Sequence, residues 1–75
     1  MNARQIADEL NLREFTMLCG IMDEEHGMNT HFDVTKIEPH VETSTKEVTV
    51  ISWKQKDEPM VQRITLPMGG VRKVA

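Results

Sequence analysis

Four side chains are the first candidates for chemistry in this 75-residue chain: Cys19, His26, His31 and His40. A thiolate with imidazoles is a zinc-ligating set, but structural zinc sites bring their ligands in closely spaced pairs. Cys19 and His26 lie two helical turns apart, too far to chelate one ion, and no pair here has the short spacing. The expectation is therefore no metal, with Cys19 as a core thiol beside Phe15 and Met22 and the histidines on the surface. Asp23-Glu24-Glu25-His26 offers acid and base groups, but contiguous residues on a helix point in different directions. The Thr43-Ser44-Thr45 run supplies hydroxyls with no base nearby in sequence. Gly69-Gly70 lacks the lysine and following helix of a phosphate-binding loop. A chain this small has little room to enclose a water-excluded pocket. Neither catalysis nor a cofactor is expected.

Charge divides the chain in two. Residues 1–43 carry three basic and nine acidic side chains, a net −6, whereas residues 44–75 carry six and three, a net +3. Nucleic-acid readers concentrate positive charge where they meet phosphate, so an acidic N-terminal half opposes that role. One unpaired cysteine excludes a disulfide framework and suits a reducing compartment. The N-terminus is too polar for a signal peptide, and no apolar run approaches the roughly 20 residues of a membrane span. A soluble, cytoplasmic protein with no membrane partner is expected. Hydrophobic residues make up 39% of the chain, but Trp53, Phe15 and Phe32 are its only aromatics, and six methionines help to fill the core.

Periodicity sets the elements that must position any site. Asn2 with Gln5 three residues on reads as a capping box opening a first helix, with Ile6 and Leu10 on one face. Asn11 is expected to end that helix in the left-handed conformation that asparagine tolerates. A second helix is expected from about Arg13 to His26, with Phe15, Leu18, Cys19 and Met22 at i, i+3, i+4 and i+7, stopped by Gly27. From Asn29 the period falls to two. A bulge is expected between Val34 and Ile37, and Pro39 suits only an edge strand. Lys46 to Lys54 is rich in β-branched residues, and Met60 to Leu66 forms a third strand. These elements predict an α+β domain over residues 1–68: two N-terminal helices packed on one face of a three-stranded antiparallel β-meander, order ααβββ. Residues 69–75 form a short basic tail.

With residues 55–59 as the loop, Val50 falls opposite Ile64 and Val48 opposite Leu66, all four on the helix side. Ile51 and Trp53 then point the other way, opposite Arg63 and Val61. Two helices cover only one sheet face. The expected partner-binding surface is therefore Ile51, Trp53 and Val61, rimmed by Lys54, Lys56 and Arg63. Its occupant is expected to be another protein, or a second copy of the chain related by a two-fold axis.

A second reading competes. Residues 5–22 resemble a helix-turn-helix segment, matching at Ala7, Leu10, Asn11, Leu12 and Met17 and departing at Gly20, where an aliphatic residue usually locks the second helix. The resemblance covers about a quarter of the chain, and the following hairpin would serve as a wing. It implies DNA contacts from Arg13, Thr16 and Met17, with Lys54 and Lys56 on the wing, and would turn Glu14 to the groove as well. The sequence thus predicts a small non-enzymatic regulatory or interaction protein, with a winged-helix-like DNA-binding regulator as the alternative.

Overall fold

The computed structural model describes residues 1–27, 31–53 and 58–70. Helix α1 spans Ala3–Glu9 and α2 spans Leu12–His26, followed by strands β1 (His31–His40), β2 (Thr45–Trp53) and β3 (Met60–Pro67). The strands form one antiparallel sheet in the order β1-β2-β3. The α+β class and the ααβββ order are as the sequence predicts.

Each helix starts at a capping box. Asn2 Oδ1 accepts from the Gln5 amide while Gln5 Oε1 accepts from the Asn2 amide, both at 2.9 Å. Asn11 and Glu14 repeat the device at 2.8 Å. Asn11 is therefore not a left-handed terminator of α1: its φ is −76°, and α1 ends through Leu10, whose amide donates to the Ile6 carbonyl. Only two residues, Leu10 and Asn11, both extended, separate the helices, which makes the connection tight. Gly27, at φ 90°, stops α2.

On α2 the buried residues are Glu14, Leu18 and Met22, at i, i+4 and i+8, with Met17 and Ile21 packed beside them. This stripe is rotated from the expected one. Phe15 is 37% exposed and Cys19 only half-buried, because a carboxylate takes the first core position. Glu14 is 1% exposed. Its Oε1 accepts from Lys46 Nζ at 2.8 Å, and its Oε2 accepts from the Gly69 amide at 2.9 Å. Lys46 also donates to the Glu9 carbonyl at 2.8 Å, satisfying a backbone acceptor that the end of α1 leaves open.

Helix-side residues of the sheet are Phe32, Val34 and Ile37 on β1, Lys46, Val48, Val50 and Ser52 on β2, and Gln62, Ile64 and Leu66 on β3. The apolar ones among them make the core together with Leu10, Leu18 and Met22. Pairing shifts between Val34 and Lys36, leaving Thr35 as the bulge, and its hydroxyl donates to the Thr49 carbonyl at 3.2 Å. Pro39 lies on the edge strand β1, opposite Lys46. The β1–β2 connection is a 3-10 turn, Val41–Thr43, closed by Ser44 in the left-handed region at φ 53°.

The β2–β3 register differs by two residues from the expected one. Val48 pairs with Ile64, Val50 with Gln62 and Ile51 with Val61, because pairing stops at Ser52–Met60. A two-residue slip preserves the side-chain period, so the face assignment stands. Met68–Gly70 turns back onto α2, and a Cβ at Gly70 would meet the Arg13 carbonyl carbon at 2.7 Å. The folded body thus runs through Gly70 rather than ending at Met68. Residues 71–75 lie outside the described residues.

Burial raises the Glu14 pKa, but it is outweighed by the Lys46 hydrogen bond, the Asn11 and Gly69 amides and the Lys46 charge, so the pKa falls below the usual value. A carboxylate depressed in the folded state adds stability that is present above the unfolded pKa and lost as pH falls through the folded one. Thermal melts should therefore show an acid-side decline beginning below about pH 4.5, and Glu14→Gln should flatten it while lowering the plateau at pH 7. An unchanged acid limb in Glu14→Gln would show that other carboxylates carry it.

Candidate interaction surface

The second face of the sheet carries no helix among the described residues, and its side chains run in rows across the three strands. Trp53 lies beside His31. Asp33, Ile51 and Val61 form the next row, Lys36, Thr49 and Arg63 the third, and Glu38, Glu47 and Thr65 the fourth. His40, Thr45 and Pro67 end the series. None of these residues is buried. Trp53 is 38% exposed and Val61 67%.

Of the residues expected to bind a partner, Ile51, Trp53, Val61 and Arg63 share this face, with Ile51 directly opposite Val61. Arg63 faces Thr49, one row along, and Trp53 has His31 rather than Val61 as its neighbour. Lys54 and Lys56 lie outside the described residues. Of the DNA-reading set, which shares those two lysines, Arg13, Thr16 and Met17 line one open surface pocket with Leu12 and Gly70. Arg13 is exposed, with its backbone packed on Gly70. The Thr16 hydroxyl donates to the Leu12 carbonyl at 2.8 Å, and Met17 turns half-buried toward the core. Glu14, expected in the groove, is the buried carboxylate described above. Gly20 is exposed, with nothing within 4 Å of where a Cβ would sit, so α2 needs no locking aliphatic there.

Sequence reasoning missed the charged belt in the middle of the face. Lys36 Nζ lies 3.2 Å from Glu38, Arg63 Nε 4.0 Å from Glu47, and His40 Nε2 3.7 Å from Glu38. Glu38 and Glu47 are direct cross-strand neighbours, an unfavourable like-charge pairing that the two flanking cations offset. The Lys36 hydrogen bond and charge hold the Glu38 carboxyl below its usual value. Glu38, His40 and Glu47 could together contact a divalent cation, since their ligating atoms lie within 4.8 Å of one another. Lys36 and Arg63 already occupy the two carboxylates, however. The usable signal was Glu38-x-His40 on one strand with Glu47 across the turn, legible only once the Ser44 turn fixes the register.

A second apolar surface lies between the helices, a groove lined by Ala3, Ile6, Ala7, Leu10, Leu12 and Phe15, with Leu12 80% exposed. At the far end of α2, His26 Nε2 lies 2.9 Å from Gln62 Oε1, and the Gln62 amide nitrogen donates to Glu25, tying the helix to β3. Among the described residues no helix is long and apolar enough to cross a membrane. No protein-family model matches the chain, and neither a curated protein nor a solved structure matches it.

Burial, with the nearby Asp23 charge, pushes the Cys19 thiol above its ordinary pKa. Thiolate is the reactive form, so alkylation of the native protein at pH 7.5 should be at least about tenfold slower than in denaturant. Cys19→Ala should cost about 1 kcal/mol. Equal alkylation rates in the two states would contradict the half-buried placement.

Proposed function

We propose that this protein is a small non-enzymatic interaction module that binds another protein, or a second copy of itself, through the helix-free face of its sheet. The single observation that supports this reading is exposed Val61 with half-buried Ile51 opposite it and Trp53 beside them, on a face that no helix covers among the described residues. Apolar and aromatic residues displayed together in this way are typical interface anchors, and a neighbouring arginine adds to the resemblance. The winged-helix alternative rests on Arg13, Thr16 and Met17 among the described residues, a set with one cation on an acidic helix whose Asp23, Glu24 and Glu25 would face phosphate unfavourably.

Trp53 is the sole tryptophan, so its fluorescence reports on this face alone. In dilute protein its emission should be red-shifted and reachable by acrylamide and iodide. Val61→Ser should change stability by no more than about 0.5 kcal/mol, as for a surface position. A photocrosslinking residue at position 61 should form protein adducts, and one at Glu24 on the helical side should not. Blue-shifted, unquenchable emission would remove the proposal, and nucleic-acid adducts from position 13 or 16 would favour the alternative.

A further inference from the structure

We infer that the sheet face pairs with the same face of a second copy of this chain, with strands running antiparallel about a two-fold axis that crosses them between the Thr49 and Glu47 rows. This inference rests on the interaction-surface reading above and names its partner. The observation that carries it is the order of charges along the face. The basic row, Lys36 and Arg63, lies next to the acidic row, Glu38 and Glu47. Rotation about that axis lays each row on the other: Lys36 over the second copy's Glu38, Arg63 over Thr65 within reach of Glu47, and Asp33 over His40. Val61 then covers Pro67, and Ile51 covers Thr45, while the Trp53–His31 row extends past the end of the second copy's sheet.

Other two-fold arrangements fare worse. An axis along the strands places Lys36 on Arg63 and Glu47 on Glu47, like on like. An axis through the Ile51 row brings the apolar residues together but sets Asp33 on Asp33, and it leaves the acidic row uncovered. Opposed charges across an interface fix orientation and register, whereas juxtaposed like charges exclude wrong ones. The pairing is of modest size. A three-stranded face about 14 by 27 Å brings together roughly 760 Å² counting both copies, the size of a weak, transient contact. Sheets packed face to face sit about 10 Å apart, a gap that lysine, arginine and glutamate can span. A concentration-dependent dimer follows, weakened by salt.

Sedimentation velocity on the full chain tests this with paired charge reversals. Wild type should dimerise with rising concentration. Lys36→Glu, which makes the belt acidic, and Glu38→Lys, which makes it basic, should each weaken self-association at least tenfold. An equimolar mixture of the two should restore a 1:1 heterodimer. In it the carboxylate introduced at position 36 of one chain meets the ammonium introduced at position 38 of the other, and the unaltered Glu38 of the first meets the unaltered Lys36 of the second. Arg63→Glu mixed with Glu47→Lys gives a second pair should either first variant fail to fold, which its melting curve would show. A wild type that stays monomeric up to millimolar concentration, with Trp53 open to quenchers, overturns the self-pairing but leaves the face free for a different protein. Trp53 shielded in the dilute monomer overturns both readings. Dimerisation that ignores the reversals, or a mixture no better than its components, overturns the charge-matched arrangement.

Discussion

One buried contact, Glu14 to Lys46, holds this small fold together from three sides. The carboxylate caps α2 through Asn11, takes the Gly69 amide from the closing turn and pairs with a lysine of the central strand. The same lysine closes α1 through the Glu9 carbonyl. Both helices, the strand and the end of the folded body therefore meet at one ion pair. Burying a charge is strongly unfavourable unless every lone pair finds a donor, and here the cap, the amide and the ammonium supply them. Among the described residues no buried side-chain polar atom lacks a partner.

That contact lies on the core side of the sheet. Lys46 shares its side of β2 with Val48, Val50 and Ser52, so its pairing with Glu14 adds to the apolar packing that holds both helices there. Period-two alternation then sends Glu47, Thr49, Ile51 and Trp53 the other way. Two short helices cannot cover two faces, and no other element among the described residues covers the second. The uncovered face is neither uniformly polar, as a solvated antiparallel sheet would be, nor uniformly apolar. It combines an apolar end with a belt of alternating charge, a composition suited to a specific, reversible contact.

Much of this was legible from local chemistry. Asn2 with Gln5, Gly27, the bulge before Ile37, Pro39 on an edge and the alternation of Val48 and Val50 each follow from one residue's own backbone or pattern preference. What failed to show depended on partners distant in sequence. Glu14 reads as a solvated helix residue until Lys46, 32 residues away, is placed against it. That one position rotates the burial stripe of α2, which is why periodicity alone sets Phe15 and Cys19 too deep. Asn11 serves equally as a C-terminal or N-terminal cap, and only its three-residue spacing to Glu14, repeating that of Asn2 and Gln5, favours the latter. The charged belt was invisible because Glu38 and Glu47 become neighbours only through the left-handed turn at Ser44.

The most direct test of this architecture is a double-mutant cycle on Glu14 and Lys46, measured by urea denaturation. Glu14→Gln and Lys46→Met each strand one member of the pair, whereas the double variant strands neither. The two changes should be coupled by about 1–3 kcal/mol, with the double variant far more stable than the sum of the single losses implies. Additivity within about 0.5 kcal/mol would mean that the pair contributes no coupling and that apolar packing alone joins the helices to the sheet.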